Sequence, residues 1–205
     1  MRIVVFGASG GTGREVVAQG VAAGHRVTAV VRRPGAVPER AGLRVEVVPE
    51  LGDPAAVDRV VAGQDAVISA LGTNARGPAR VCTDGIRAIL GAMTRAGTRR
   101  LVVVSAHGAA ETHDGSLYAR ALWLTLADKM RDKETMEALI TAAAVDWTIV
   151  RPPALKDRPR TGRYRVGTDL PIRLTSAIGR ADLAEFVLGE ATAPRYVHRF
   201  PRIAA

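Results

Sequence analysis

The stretch Gly7-Ala8-Ser9-Gly10-Gly11-Thr12-Gly13 constrains this chain more than any other. It follows a short apolar run, Ile3-Val4-Val5-Phe6, and precedes Val16, Val17, Gly20, Val21 and Ala23 at roughly helical spacing. Gly24 stops that pattern, and Val27-Thr28-Ala29-Val30-Val31 supplies a second strand. Strand, glycine turn, helix and strand in this order make a dinucleotide-binding unit. A sharp turn off a buried strand suits Gly7. Gly10 holds no side chain between a pyrophosphate and the backbone, and Gly13 lets the helix pack on the strand. The helix N-terminus offers unpaired N–H groups and the positive end of its dipole to phosphates. Ser9, Gly11 and Thr12 lie within the same turn. The Gly-x-x-Gly-x-x-Gly spacing is one residue longer than the commonest form, and glycines also make plain turns.

The end of the second strand bears on which dinucleotide is held. A free ribose 2′-hydroxyl usually meets Asp or Glu there, whereas this chain has Arg32-Arg33. A guanidinium fits a 2′-phosphate bidentately, which points to NADP(H). Two solvated arginines in an arginine-rich chain are the alternative.

At 205 residues the chain is long enough for a single domain with a proper core. Hydrophobic and charged fractions of 47% and 24% are those of a soluble globular protein. No apolar segment approaches membrane-spanning length. The first apolar run ends at Gly7, too early for a secretory core. Cys82 is the one cysteine, so no intrachain disulfide forms, and a reducing cytoplasm is expected. The net charge of +9 raises the question of a nucleic-acid partner. The arginines are spread along the chain, and an aromatic content of 4% leaves few rings for base stacking, so that partner is disfavoured. A positive field also suits an anionic cofactor.

Further along, Leu43–Val48 reads as a third strand, and Asp53-Pro54 starts a helix that buries Val57, Val60 and Val61 and ends near Gly63. Asp65–Leu71 is a fourth strand running into Gly72-Thr73. Ligands bind at the carboxyl ends of parallel strands, so Ala70 and Gly72 are placed beside the cofactor unless they form a plain turn. Residues 80–96 form a helix with Val81, Gly85, Ile86, Ile89, Leu90 and Met93 inward, and with Cys82 as a small core or rim residue. Leu101–Val104 is a fifth strand, leading to Ser105. The stretch 106–118, with His107, Glu111, His113 and Asp114, has no metal-site spacing and reads as a flexible polar lid. A helical region from about Ala119 to Ala144, in one or two pieces, is followed by a sixth strand, Trp147–Val150, and a proline corner. Trp123 is either a stacking wall or a packing residue. Tyr164–Val166 forms a short strand, and a last helix begins at Ile178. The alternation predicts an α/β, doubly wound parallel sheet of the Rossmann type in one domain, 1–205. Substrate-side elements come from about 106–126 and 154–178.

Several motifs together resemble the atypical short-chain dehydrogenase/reductase family. They are the glycine turn, Val30-Val31-Arg32-Arg33, Leu71-Gly72-Thr73, Val104-Ser105-Ala106, Trp147–Pro153 and Gly179–Ala184. Val60–Ile68 and Thr161-Gly162-x-Tyr164 are similar to the biliverdin-IXβ reductase/flavin reductase branch. The resemblance implies NADPH-dependent hydride transfer to a conjugated acceptor such as a flavin, tetrapyrrole or quinone. It also implies phosphate contacts from Gly7, Ser9, Gly10, Gly11, Thr12 and Gly13, and 2′-phosphate contacts from Arg32 and Arg33. Leu71 and Gly72 would line the adenosine side, and Pro152 and Pro153 would support the nicotinamide amide. Ser105 would take the family's serine position beside nicotinamide and substrate, and Lys133 falls in the helical region where relatives place a polar residue near the nicotinamide ribose.

Two departures stand out. Ala154 occupies the position of that branch's histidine after the double proline, and Pro49-Glu50 that of a Gly-Asp pair. The Tyr-x-x-x-Lys pair of ordinary short-chain dehydrogenases is missing at Tyr118, which is followed four residues later by Leu122. Ketone/alcohol chemistry needs such an acid, whereas a conjugated acceptor is its own electron sink. A non-catalytic NADP(H) sensor resembling NmrA and a sugar-nucleotide epimerase-like enzyme remain as alternatives. The acceptor and the oligomeric state stay open.

Overall fold

The long apolar runs become strands of one parallel sheet, and the amphipathic stretches between them cover its faces. The computed structural model describes residues 1–73, 77 and 80–205. The first half comprises β1 (Arg2–Phe6), α1 (Gly11–Ala22), β2 (Arg26–Val31), β3 (Leu43–Val47), α2 (Pro54–Val61), β4 (Ala66–Ser69) and α3 (Val81–Ala96). The second comprises β5 (Arg100–Val104), α4 (Leu117–Thr141), β6 (Asp146–Val150), β7 (Ala154–Lys156), β8 (Arg165–Gly167), β9 (Ala177–Gly179), α5 (Arg180–Thr192) and β10 (Arg202–Ala204). The main sheet runs β3-β2-β1-β4-β5-β6, all parallel. β7 pairs with β9, and β8 pairs antiparallel with β10. This is the doubly wound single domain expected from the alternation of elements.

Parallel strands covered on both faces bury side chains of both directions, which explains why β1, β4 and β5 read as apolar runs broken only at their ends, by Arg2, Ser69 and Arg100. One face packs Val5, Val16, Val17, Leu183 and Val187 beneath α1 and α5. The other packs Phe6, Ile86, Met93, Met136 and Ile140 beneath α2, α3 and α4. The strand order reverses between β1 and β4, where the pair Phe6↔Ser69 brings the two strand exits side by side. The crevice at such a switch point is where ligands bind.

Local signals set the helix ends. Asp53 caps α2 by accepting from the amides of Ala55 and Ala56 at 3.0 and 3.2 Å, with Pro54 in the first turn. Gly97 closes α3 at φ 68°. α4 is kinked at Leu126, whose φ of −132° and ψ of 23° are not helical.

Three expectations are corrected. α5 begins at Arg180 rather than Ile178, because residues 177–179 pair with β7. In α3, Val81 is exposed and Cys82 is buried in its place, so the inward stripe is displaced by one residue at its start. Residues 106–112 are not a flexible polar lid. Ala109, Thr112 and His107 are buried, and Thr112 Oγ1 accepts from the Gly108 amide and donates to Ala109 O. Beyond α5, β10 buries Ile203 and pairs with β8.

Candidate functional site

The glycine turn is built from contacts that leave no room for a side chain. Gly7 has φ +75°, and a Cβ there would meet Ala70 O at 2.6 Å. At Gly13 a Cβ would meet Gly7 O at 2.1 Å, so α1 rests directly on the turn. Gly10 precedes α1, and no side chain caps that helix. Its first amides therefore have no side-chain cap.

Two cavities meet around this turn. One, of about 530 Å³, is lined by Gly7, Ser9, Gly10, Arg32, Leu51, Leu71 and Gly72, among others. The other, of about 340 Å³, continues from Gly10, Gly11 and Thr12 past Leu71 and Gly72 to Ser105, Lys133, Pro152 and Pro153. Of the sequence-named residues, Gly13 lies behind the turn in the α1 packing, and Arg33 is exposed and lines neither cavity. The remaining named residues converge on the two spaces. Ala106 and Leu155 also line the second of these cavities.

Ser105 follows β5, where its amide donates to Val150 O at 2.8 Å and extends the ladder. Its Oγ donates to Glu137 Oε1 at 2.5 Å. Arg151 donates to the same carboxylate, from Nε to Oε1 at 3.2 Å and from Nη2 to Oε2 at 2.6 Å. Glu111 takes the other side of the guanidinium, with Nη2 to Oε2 at 2.9 Å. Arg151 also stacks 4.1 Å from the Phe200 ring centroid. Burial works against its charge, but its hydrogen bonds to Glu137 and Glu111 outweigh it and raise the pKa.

α4 brings Lys129, Asp132 and Lys133 to the cavity wall. The Asp132 carboxylate accepts from the Cys82 and Thr83 amides and so caps α3, which uses its charge structurally. Lys133 Nζ donates to Val104 O at 3.3 Å. Lys129, one turn earlier, has no ion pair or hydrogen bond among the described residues. Cys82 donates from Sγ to Leu71 O at 3.5 Å, and burial pushes its thiol up, which suits packing rather than nucleophilic work. Trp123 packs on the 106–118 stretch: Nε1 donates to Gly108 O at 2.9 Å, and its ring stacks on His113 at 4.2 Å. It lines neither cavity.

Three residues escaped sequence reading. Lys129 carries the helical spacing that was sought at Tyr118, since Lys129 and Lys133 are four apart. Glu137 was invisible because its partners lie on other elements. Arg180 stands across the first turn of α1, so that a Cβ on Gly11 would lie 2.7 Å from its Cδ. Its Nη1 donates to Asp157 at 2.6 Å. The signal for Arg180 was its place in the Gly179–Ala184 motif at the start of the last helix, which was read for the family resemblance but not as a site residue.

Comparison with known proteins agrees with this geometry. The uncharacterised protein YwnB of Bacillus subtilis is 30% identical over 96% of this chain and 94% of its own length. The ceramide reductase of Caulobacter vibrioides is 32% identical over 83% of this chain, which spans 52% of that protein. Among solved structures, the anaerobilin reductase ChuY of Escherichia coli O157:H7 superposes with a TM-score of 0.85. It is 23% identical, with 99% of this chain and 96% of that one covered. No helix among the described residues is long and apolar enough to cross a membrane. The glycine turn, the switch-point crevice and a family match spanning residues 7–194 lead to one assignment: the chain belongs to the NAD(P)H-binding family.

Proposed function

We propose that this protein is an NADPH-dependent reductase that transfers a hydride to a flavin, tetrapyrrole, quinone or similar conjugated acceptor. The observation that carries the reading is the continuity of the two cavities. Each is lined by Gly10, Leu71 and Gly72, and together they join the Arg32 end of the crevice to the Ser105–Lys133 end. The uncapped start of α1, reached through a turn in which Gly7 and Gly13 pack too closely on backbone to carry side chains, suits a dinucleotide pyrophosphate. In this reading the amides at the start of α1 hold phosphates and Arg32 holds the 2′-phosphate. Leu71 and Gly72 take the adenosine side, and Pro152 and Pro153 support the nicotinamide. The bound cofactor supplies the hydride.

The protein's own work is then positioning. Ser105 and Lys133 orient the reacting rings, Pro152 and Pro153 form an apolar floor, and Lys129 adds positive charge beside the acceptor. No tyrosine lines either cavity. Tyr118 is half-buried, with its ring 5.3 Å from that of His107, and burial raises its pKa, away from an activated phenol. This favours acceptors that need no strong side-chain acid over ketone or sugar-nucleotide chemistry. The reductase names carried by the Caulobacter and Escherichia relatives support the same class.

Steady NADPH consumption on addition of FMN, riboflavin, a quinone or a biliverdin tests the proposal. Turnover with at least one acceptor is expected. Ala154 in the place of a histidine favours a second reading, a sensor that binds NADP(H) without turning it over. Tight binding with no consumption across the panel would select it.

A further inference from the structure

The Ser105 hydroxyl has a single proton, and its surroundings determine where that proton goes. Glu137 Oε1 lies 2.5 Å away, on a carboxylate buried with its Arg151 counter-ion. Arg151 cannot be deprotonated here, and an ionised carboxylate only accepts. The hydroxyl is therefore the donor in this bond. Glu111 grips Arg151 from the far side, so the guanidinium cannot swing away and release Glu137. No other hydrogen bond reaches Ser105 Oγ among the described residues, while the residue lines the cavity shared with Lys133 and Pro153.

We propose that Ser105 meets its ligand as a hydrogen-bond acceptor and so reads an N–H group, and that Glu137 is the positioning residue that sets this polarity. The inference rests on the cavity being the nicotinamide and acceptor site proposed above. It reverses the role a serine plays when it donates to a substrate carbonyl. The ligand group is an amide, imide, lactam or pyrrole N–H. Either the cofactor's carboxamide or the ring nitrogen of a heterocyclic acceptor supplies it. A quinone, which has carbonyls only, gives Ser105 nothing to accept. Acceptors with a ring N–H are therefore favoured over quinones unless the cofactor alone takes the serine.

Equilibrium binding with paired ligands tests this without requiring turnover. One arm compares NADP⁺ with its 3-acetylpyridine analogue, which lacks the carboxamide N–H. The other compares lumiflavin with its N3-methyl derivative, read without cofactor. The wild type is expected to prefer the N–H partner about tenfold in at least one arm, and that arm identifies the source of the N–H. Ser105→Ala should bind both members of the pair equally. Glu137→Gln turns a donating amide towards Ser105 and frees its proton, so the preference should collapse or invert while thermal melting confirms the fold. Equal binding by the wild type in both arms would overturn the inference, as would a preference that survives Ser105→Ala. Failure of the wild type to bind NADP⁺ would instead sink the reductase reading, leaving the flavin arm to decide this one.

Discussion

Asp132 and Thr83 hold α4 against α3 by a reciprocal pair of bonds. Asp132 Oδ1 accepts from the Thr83 amide at 2.8 Å, and Thr83 Oγ1 donates back to Asp132 O at 3.0 Å. Asp132 Oδ2 also accepts from the Cys82 amide at 2.9 Å. The start of α3, which has no cap of its own, is thus closed by a carboxylate from another helix. Lys133 follows directly, so its placement at the cavity depends on this joint. Asp132→Ala should cost about 2 kcal/mol, because it strands two buried amides. Tm should then fall by roughly 4–8 °C in a thermal melt. An unchanged Tm would show that the joint carries no stability.

Arg32 and Arg33 are adjacent in sequence but not equivalent in space. Arg32 lines the larger cavity, and Arg33 lies outside it. Arg32→Ala should raise the Kd for NADPH about tenfold to a hundredfold and leave NADH nearly untouched, as expected for lost charged hydrogen bonds. Arg33→Ala should have the smaller effect. Calorimetric titration of both cofactors into both variants checks this, and equal losses would remove Arg32 from its assigned role.

Arg180 lies against Gly11 at the start of α1 and pairs through its guanidinium with Asp157. The Asp157 side chain is 88% exposed, so this bridge contributes little by itself. The arginine is free to turn towards bound phosphate. Arg180→Ala should weaken NADPH binding about tenfold, whereas Asp157→Ala, which removes the competitor, should leave binding the same or slightly tighter. Weaker binding in the Asp157 variant would argue that the bridge is part of the site.

His107 introduces a pH dependence of stability. Burial is the main cause that lowers its pKa from 6.5 to about 4, with Arg202 and Arg151 adding to it and Asp114 opposing it. The unfolded chain therefore binds a proton between those values that the folded chain does not, and stability rises with pH across that window. The full contribution is present above pH 6.5 and is lost as pH falls towards 4, up to about 3 kcal/mol. Urea unfolding from pH 7 to pH 4 should show this loss in the wild type. His107→Gln should keep its stability until the carboxylates titrate below that range, where the depressed pKa values of Asp65, Asp146 and Asp182 add a further decline.

What was legible in the sequence depended on how local its cause was. The glycine turn, the six long strands and the Asp53 cap each follow from neighbouring residues, and they were read directly. β7, β9 and β10 have three residues each, too few to show a period, and they form only because the chain returns to pair. Pairing of residues 177–179 also displaced the predicted start of α5. Much of the cavity wall was found because it sits at strand exits. The polar joints behind it were not, since Ser105, Glu137 and Arg151 lie on different elements, as do Asp132 and Thr83. Lys129 was overlooked because tyrosine was the residue sought at that spacing.

The central claim is that one continuous crevice both holds NADPH and delivers its hydride. The most direct test puts two readouts on one sample of wild-type protein: NADPH binding by calorimetry, and the initial rate of NADPH loss with each acceptor. Saturable binding with acceptor-dependent consumption, reduced at low NADPH by Arg32→Ala, is the predicted result. Saturable binding with no consumption by any acceptor would contradict the claim.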